Sequence, residues 1–89
     1  MREERVNEVE DSIRRYVAES AKLDPAAIAA DTDLVQDLGL SSLELLNVVA
    51  FVEQRYRITV ADRELVSLTS IRRIAAKVRE ESAGKGEPA

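Results

Sequence analysis

Three stretches of the chain place apolar residues three or four positions apart, which puts them on one face of an α-helix. The first stretch covers residues 3–20. Its helix is expected to end near Leu23, because Pro25 disfavours helical dihedrals in the residue before it and has no backbone N–H. The apolar positions of this predicted first helix are Val6, Val9, Ile13, Tyr16 and Val17.

The second stretch has the clearest helix start in the chain. Ser41 and Glu44 have the spacing of a capping box, in which each side chain accepts a hydrogen bond from the backbone N–H of the other residue. Ser42 is then the first helical residue, and the helix is expected to run to about Tyr56. Its predicted core face consists of Leu45, Val48, Val49, Val52 and Tyr56.

The remaining residues predict a short helix and a last long one. Asp62 is expected to cap the short helix, which runs through Val66, and Thr69 or Ser70 is expected to cap the long one. With no strand pattern, the sequence predicts an all-α fold, a small bundle of three main helices plus one short helix. Its predicted core is Val9, Ile13, Val17, Val48, Val52, Tyr56, Ile71, Ile74 and Val78.

Two segments lie outside this helical pattern. Residues 26–40 are expected to form an ordered loop, held to the core by Ile28, Leu34, Val35 and Leu38 among turn-forming residues. Residues 83–89 have no apolar periodicity and are predicted to be a disordered C-terminal tail. At 89 residues the chain has room for one domain, residues 1–82.

Charge and composition exclude several classes of function. The chain has 17 acidic and 13 basic residues, a net charge of −4, which is the wrong sign for a sequence-independent nucleic-acid binder. It has neither His nor Cys, so a Ser-His-Asp hydrolase is ruled out and no metal site is predicted. With no apolar run of about 18 residues and a charged N-terminal stretch, we expect no membrane span and no export signal. The expected protein is a cytoplasmic monomer.

The second helix also carries apolar residues that its core face does not need. Leu43, Leu46 and Ala50 form a separate cluster near Asn47, starting one residue after Ser42. Either the loop of residues 26–40 covers this cluster, or the cluster is exposed and binds a partner.

Ser42 itself has two interpretations. With no His in the chain to activate it, Ser42 is a weak nucleophile and is better understood as the substrate of another enzyme. A phosphate ester there would be favoured by the N–H groups and the dipole of the helix N-terminus. Alternatively, Ser41 and Ser42 only begin the helix, and the residues alone leave the function open.

Residues 37–44, Asp-Leu-Gly-Leu-Ser-Ser-Leu-Glu, resemble the phosphopantetheine attachment motif of acyl carrier proteins. The usual core of that motif is Asp-Leu-Gly, one variable residue and Asp-Ser-Leu, and the resemblance extends over the helix layout from about residue 6 to residue 78. It implies that Ser42 carries the cofactor. The residues that the resemblance implies as its frame are Asp37, Leu38, Gly39, Ser41 and Leu43. Those that it implies as partner-binding are Leu43, Glu44, Leu46, Asn47 and Ala50.

The resemblance also implies a function that divides the chemistry between the chain and its partners. A phosphopantetheinyl transferase would attach 4′-phosphopantetheine from coenzyme A, and the thiol of that arm would hold acyl groups as thioesters. Further partners would be acyl-loading and acyl-processing enzymes, namely synthases, ligases and transferases. The chain would itself be a carrier and not an enzyme, a discrete component of fatty-acid-like or polyketide biosynthesis.

The chain departs from the family pattern in two places. Ser41 replaces the usual Asp before the modified serine, and Asn47 stands where fatty-acid-synthesis carriers usually have Glu. The second helix is close to neutral, which favours a specialised pathway over housekeeping fatty-acid synthesis.

Two alternatives remain open from the sequence. The chain is also compatible with an aminoacyl or peptidyl carrier of nonribosomal peptide synthesis, which would share the fold and the arm. It is compatible as well with a helical interaction module in which Ser42 is never modified. No role is predicted for Phe51, which lies near Glu44 and Arg55 on the helical wheel.

Overall fold

The computed structural model describes the backbone of residues 2–84 and the side chains of residues 8–82. Within that part of the chain there is no strand, and the predicted all-α bundle is confirmed. The elements are α1 (Arg2–Ala21), a 3-10 turn (Pro25–Ala27), α2 (Ser42–Tyr56), a short 3-10 helix (Asp62–Ser67) and α3 (Ile71–Gly84). Helix α3 thus extends past the expected boundary at residue 82, while residues 85–89 of the predicted tail lie outside the described residues.

The core lies where the apolar stripes of the three helices meet. The predicted core residues found buried are Val9, Ile13, Val17, Val48, Val52, Ile71, Ile74 and Val78. Tyr56 is only half-buried, and the guanidinium carbon of Arg55 lies 5.7 Å from the centroid of its ring. Val6, on the predicted face of α1, lies outside the described side chains.

The loop of residues 26–40 packs on the core through some of its predicted anchors. Ile28 and Leu34 are buried, and Leu38 is half-buried against the same core. Val35 is exposed, so its prediction as an anchor was wrong. Residues 33–37 form one turn of helical pitch, which places Leu34 and Leu38, four positions apart, on the inner side and leaves Val35 on the outer side.

Two backbone hydrogen bonds join this loop to the start of α3. The N–H of Leu34 donates to the carbonyl oxygen of Thr69 at 2.8 Å, and the N–H of Arg72 donates to the carbonyl oxygen of Ala30 at 2.9 Å. The loop is therefore fixed by main-chain pairing as well as by apolar contacts, as expected of an ordered segment.

Helix α2 begins and ends at the predicted residues. The Oγ atom of Ser41 accepts from the N–H of Glu44 at 3.1 Å, and the Oε1 atom of Glu44 accepts from the N–H of Ser41 at 2.8 Å. The predicted capping box is therefore confirmed. After Tyr56 the backbone of Arg57 turns into the left-handed region, with φ of 57°, and ends the helix.

The starts of the short helix and of α3 differ in how they are capped. Ala61, and not the predicted Asp62, occupies the N-cap position of the 3-10 helix, because the carbonyl oxygen of Ala61 accepts from the N–H of Glu64 at 2.9 Å. Asp62 is therefore already inside the first turn. Ser70, one of the two predicted caps, precedes α3, and its Oγ accepts from the N–H of Arg73 at 3.2 Å.

An ion-pair cluster holds the 3-10 helix against α3. The helix buries none of its side chains completely, but Lys77 Nζ lies 2.8 Å from Glu64 Oε1 and 2.9 Å from Glu81 Oε2. The hydrogen bond from Lys77 lowers the pKa of Glu64, and the hydrogen bonds to both carboxylates raise the pKa of Lys77. The cluster thus adds to the contact that Leu65 of the 3-10 helix makes with the core.

We expect Ile74→Ala to destabilise the fold strongly, because Ile74 is 1% exposed at the centre of the core. Truncating a buried Ile costs about 2–5 kcal/mol, a large part of the roughly 5–15 kcal/mol that holds a small domain together. Urea unfolding followed by circular dichroism measures the loss. Ala76→Gly, at an exposed position of the same helix, controls for helix propensity and should cost about 1 kcal/mol. An equal loss in both variants would contradict the packing of α3.

Glu64→Gln should lower the thermal midpoint near neutral pH and lose this effect in acid. A carboxyl group with a lowered pKa in the folded state contributes stability above its ordinary pKa, and this contribution disappears as the pH falls through the lowered value. Melting curves of wild type and Glu64→Gln from about pH 7 to about pH 2 should therefore converge. Glu80→Gln, an exposed change on α3 outside this cluster, is the control for the removal of one carboxylate. A constant difference for Glu64→Gln would contradict the ion pair.

Ser41→Ala should cost about 1 kcal/mol, since it removes the side-chain acceptor for the N–H of Glu44 at the start of α2. Ser20→Ala, at an exposed position inside α1, removes a hydroxyl that caps no helix and should leave stability nearly unchanged. Denaturant titrations of both variants measure the difference. Equal stability of the two variants would mean that the cap contributes nothing.

Candidate functional site

Ser42 lies exposed at the first position of α2. Among the residues that the structure describes, none forms a hydrogen bond with its hydroxyl, since the capping role belongs to Ser41. The first N–H groups of a helix have no acceptor within the helix, and they make its N-terminus the positive end of the helix dipole. The site therefore combines an accessible hydroxyl with a local field that favours an anionic ester.

The turn before α2 directs the chain into this position. Asp33 Oδ1 accepts from the N–H groups of Val35 and Gln36 at 3.0 and 2.7 Å, and Asp37 Oδ2 accepts from the N–H of Asp33 at 3.1 Å. Gly39 then has a φ of 75°, in the left-handed region that favours glycine. A Cβ atom there would meet no other atom within 4 Å, so the backbone conformation, and not lack of space, requires glycine.

The apolar residues around Ser42 point in opposite directions. Leu38 and Leu40 face the core, with Leu40 only 5% exposed, and they anchor the turn. Leu43 is 66% exposed and Leu46 is 43% exposed, and Ala50 is exposed as well. The structure thus decides between the two options for the second apolar cluster. The loop of residues 26–40 does not cover it.

The exposed cluster is part of a wider outward strip of α2, which we call the outer arc. At about 100° per residue, this strip spans about 100° of the helix. Its members, all exposed, are Leu43, Leu46, Asn47, Ala50 and Gln54. Ser42 borders the arc, whereas Glu44 lies about 60° beyond its edge. Of the residues that the family resemblance implies as partner-binding, all except Glu44 therefore share this strip.

Phe51, for which the sequence predicted no role, stacks on Tyr16 of α1. The two ring centroids are 4.4 Å apart and the ring planes differ by 11°. This stack joins α1 to α2 about 40° beyond the Asn47 edge of the outer arc, and both rings are half-buried. The wheel of α2 alone did not reveal it, because the partner ring belongs to another helix.

No group of three or more Asp, Glu, His or Cys side chains in residues 8–82 is placed to hold a metal ion. No helix in the described part of the chain is long and apolar enough to cross a membrane.

Comparison with known proteins adds an independent line of support. The family described as the phosphopantetheine attachment site matches residues 11–78. An acyl carrier protein of Campylobacter curvus is 31% identical over 61 residues, which cover 68% of this chain and 79% of that protein. An acyl carrier protein of Streptomyces coelicolor is 37% identical over 71 residues, 79% of this chain and 77% of that protein.

A third relative is named as a carrier protein of a polyketide synthase. It is the polyketide-8 synthase acyl carrier protein 2 of Streptomyces avermitilis, 34% identical over 61 residues, which cover 68% of this chain and 70% of the relative. The family match includes the helix start with its exposed serine and most of the bundle that supports it. The chain therefore belongs to the acyl carrier protein family and is a carrier whose cofactor is 4′-phosphopantetheine.

Proposed function

We propose that Ser42 is the attachment residue and that the chain is a discrete acyl carrier, loaded with acyl groups as thioesters on its arm. One observation carries the proposal. The hydroxyl of Ser42 is exposed and without a hydrogen-bond partner in the described part of the chain, at the first position of a capped helix. Ser41 satisfies the helix start, which leaves Ser42 available for modification.

The chain's own residues present the serine and do not activate it. No side chain that the structure describes hydrogen-bonds the Ser42 hydroxyl, so the transferase has to take up the proton when the ester forms. The Ser42 oxygen bonds to the pantetheine-bearing phosphorus of coenzyme A, the pyrophosphate bond breaks, and adenosine bisphosphate leaves. The N–H groups of the first turn then face the negative charge of the ester. When bound, the arm supplies the thiol that forms the thioester, which this Cys-free chain lacks.

Two observations favour a specialised pathway, polyketide biosynthesis above all. The outer arc carries no acidic residue, which distinguishes it from the acidic helix that the family resemblance associates with fatty-acid synthesis. One of the relatives is named as a polyketide synthase carrier. We propose that the carrier acts as a monomer in the cytoplasm, with a phosphopantetheinyl transferase and acyl-loading and acyl-processing enzymes as its partners.

Incubation with a phosphopantetheinyl transferase and coenzyme A should add one phosphopantetheine group to the wild type and none to Ser42→Ala. Intact-mass spectrometry measures both outcomes. The physical reason is that the ester needs the Ser42 oxygen, which alanine lacks, while the change affects neither partner of the capping box. Circular dichroism should show the same helix content in both proteins.

Ser41→Ala is the matched control, since it removes the neighbouring hydroxyl and keeps Ser42. It should still accept one group, at a lower rate because the start of α2 is less well held. Modification that persists in Ser42→Ala, or that disappears only in Ser41→Ala, would overturn the assignment of Ser42.

A further inference from the structure

The outer arc is an uncharged strip on a highly charged protein. Charged residues make up 34% of the chain, and they normally occupy exposed helix positions. Nevertheless, the arc presents only apolar side chains and two amides, those of Asn47 and Gln54. A solvent-facing strip of this composition, continuous with Ser42, is typical of a contact surface more than of a solvated helix face.

Both carboxylates of α2 lie outside the arc, Glu53 about 20° beyond its Leu46 edge and Glu44 about 60° beyond its Asn47 edge. Both bind the chain itself. Glu44 Oε1 accepts from the N–H of Ser41 at 2.8 Å, and Glu53 Oε2 accepts from the N–H of Val60 at 2.8 Å. The first hydrogen bond starts the helix, and the second fixes the segment that follows it. The acidic residues of α2 thus have structural tasks that account for their presence without a partner.

We infer that the transferase which modifies Ser42 docks on the outer arc through an apolar, uncharged surface of its own, and not through a row of cationic side chains. This inference rests on the proposed function of Ser42. The transferase is the occupant to which we commit, because it has to bring its reacting atoms to the Ser42 oxygen at the edge of the arc. An uncharged surface is the complement of an uncharged arc, since a charge facing it would lose its water without gaining a counter-charge.

Asn47, at one edge of the arc, permits a test by the sign of the added charge. If the facing surface of the transferase is uncharged, Asn47→Glu and Asn47→Lys should both lower kcat/KM for phosphopantetheine transfer, each by about tenfold, because either charge is desolvated without a partner. Asn47→Gln has the size of the Glu variant and no charge, so its loss should be smaller than that of Asn47→Glu, and the difference isolates the cost of the charge.

The probe is coenzyme A with a purified phosphopantetheinyl transferase that loads the wild type to completion. Rates come from the time course of the intact mass, and circular dichroism melts confirm that each variant is folded. A rise in kcat/KM for Asn47→Glu would show that the docking surface of the transferase is cationic. A rise in kcat/KM for Asn47→Lys would show that this surface is acidic. Either result overturns the inference, as does an Asn47→Gln rate as low as that of the charged variants, or no change in any of them.

A second pair of variants tests the apolar contact. Leu46→Ala, within the arc, should lower kcat/KM by about tenfold, while Leu23→Ala should leave it unchanged. Leu23 is the matched control for Leu46, because Leu46 is 43% exposed and Leu23 is 40% exposed. Leu23 lies beyond the end of α1 and outside the arc. Equal rates for the two variants would overturn the inference.

The endpoint of the reaction separates this inference from the proposed function. If the wild type never gains the phosphopantetheine group at high transferase concentration, the proposed function of Ser42 fails. If it gains one group and the Asn47 variants respond with opposite signs, the proposed function stands and uncharged docking alone is wrong.

Discussion

The reciprocal hydrogen bonds between Ser41 and Glu44 fix where α2 begins, and the site depends on that start. If the helix began one residue later, Ser42 would take the N-cap position in place of Ser41. Ser42 would then lose its place at the first helical position. The two bonds, 2.8 and 3.1 Å long, therefore determine the position of the serine relative to the helix start.

Helix α2 presents three surfaces with different contacts. One face, which includes Val48 and Val52, enters the core, and a second carries Phe51 against Tyr16 of α1. The outer arc takes part in neither contact and is exposed, so packing within the chain does not constrain its composition. The residues of the arc can therefore be adapted to a binding partner without loss of the fold, because substitutions at exposed positions usually change stability by no more than about 0.5 kcal/mol.

Much of this arrangement was predictable from local patterns. The capping box and the bounds of α2 follow from Ser41, Glu44 and the β-branched residues after Tyr56, because these signals act within a few residues. The buried positions of α1 and α3 follow from their helical spacing for the same reason. The sequence showed that α2 has more apolar residues than its core face needs, and these form the exposed cluster beside Ser42. It could not show whether the loop covered them.

The contacts that escaped prediction join residues far apart in the chain. The stack of Phe51 on Tyr16 and the pairing of Lys77 with Glu64 each depend on how two elements pack, which no single helical wheel represents. Asp62 has the right residue type for an N-cap, but the backbone bond to Ala61 starts the 3-10 helix one residue earlier. Val35 failed as an anchor because the loop contains a helical turn that the pattern of turn-forming residues did not indicate.

The pairing of the loop with α3 has a consequence for local unfolding. The N–H of Leu34 is bonded to Thr69, and the N–H of Arg72 is bonded to Ala30, so opening the loop breaks both of its main-chain bonds to the start of the C-terminal helix. The segment that leads into Ser42 is therefore coupled to residues far along the chain, as is common for cooperative units that hydrogen bonds define. Fraying of α3 at its start would remove these bonds, so the order of the loop that presents Ser42 depends on α3 as well as on α2.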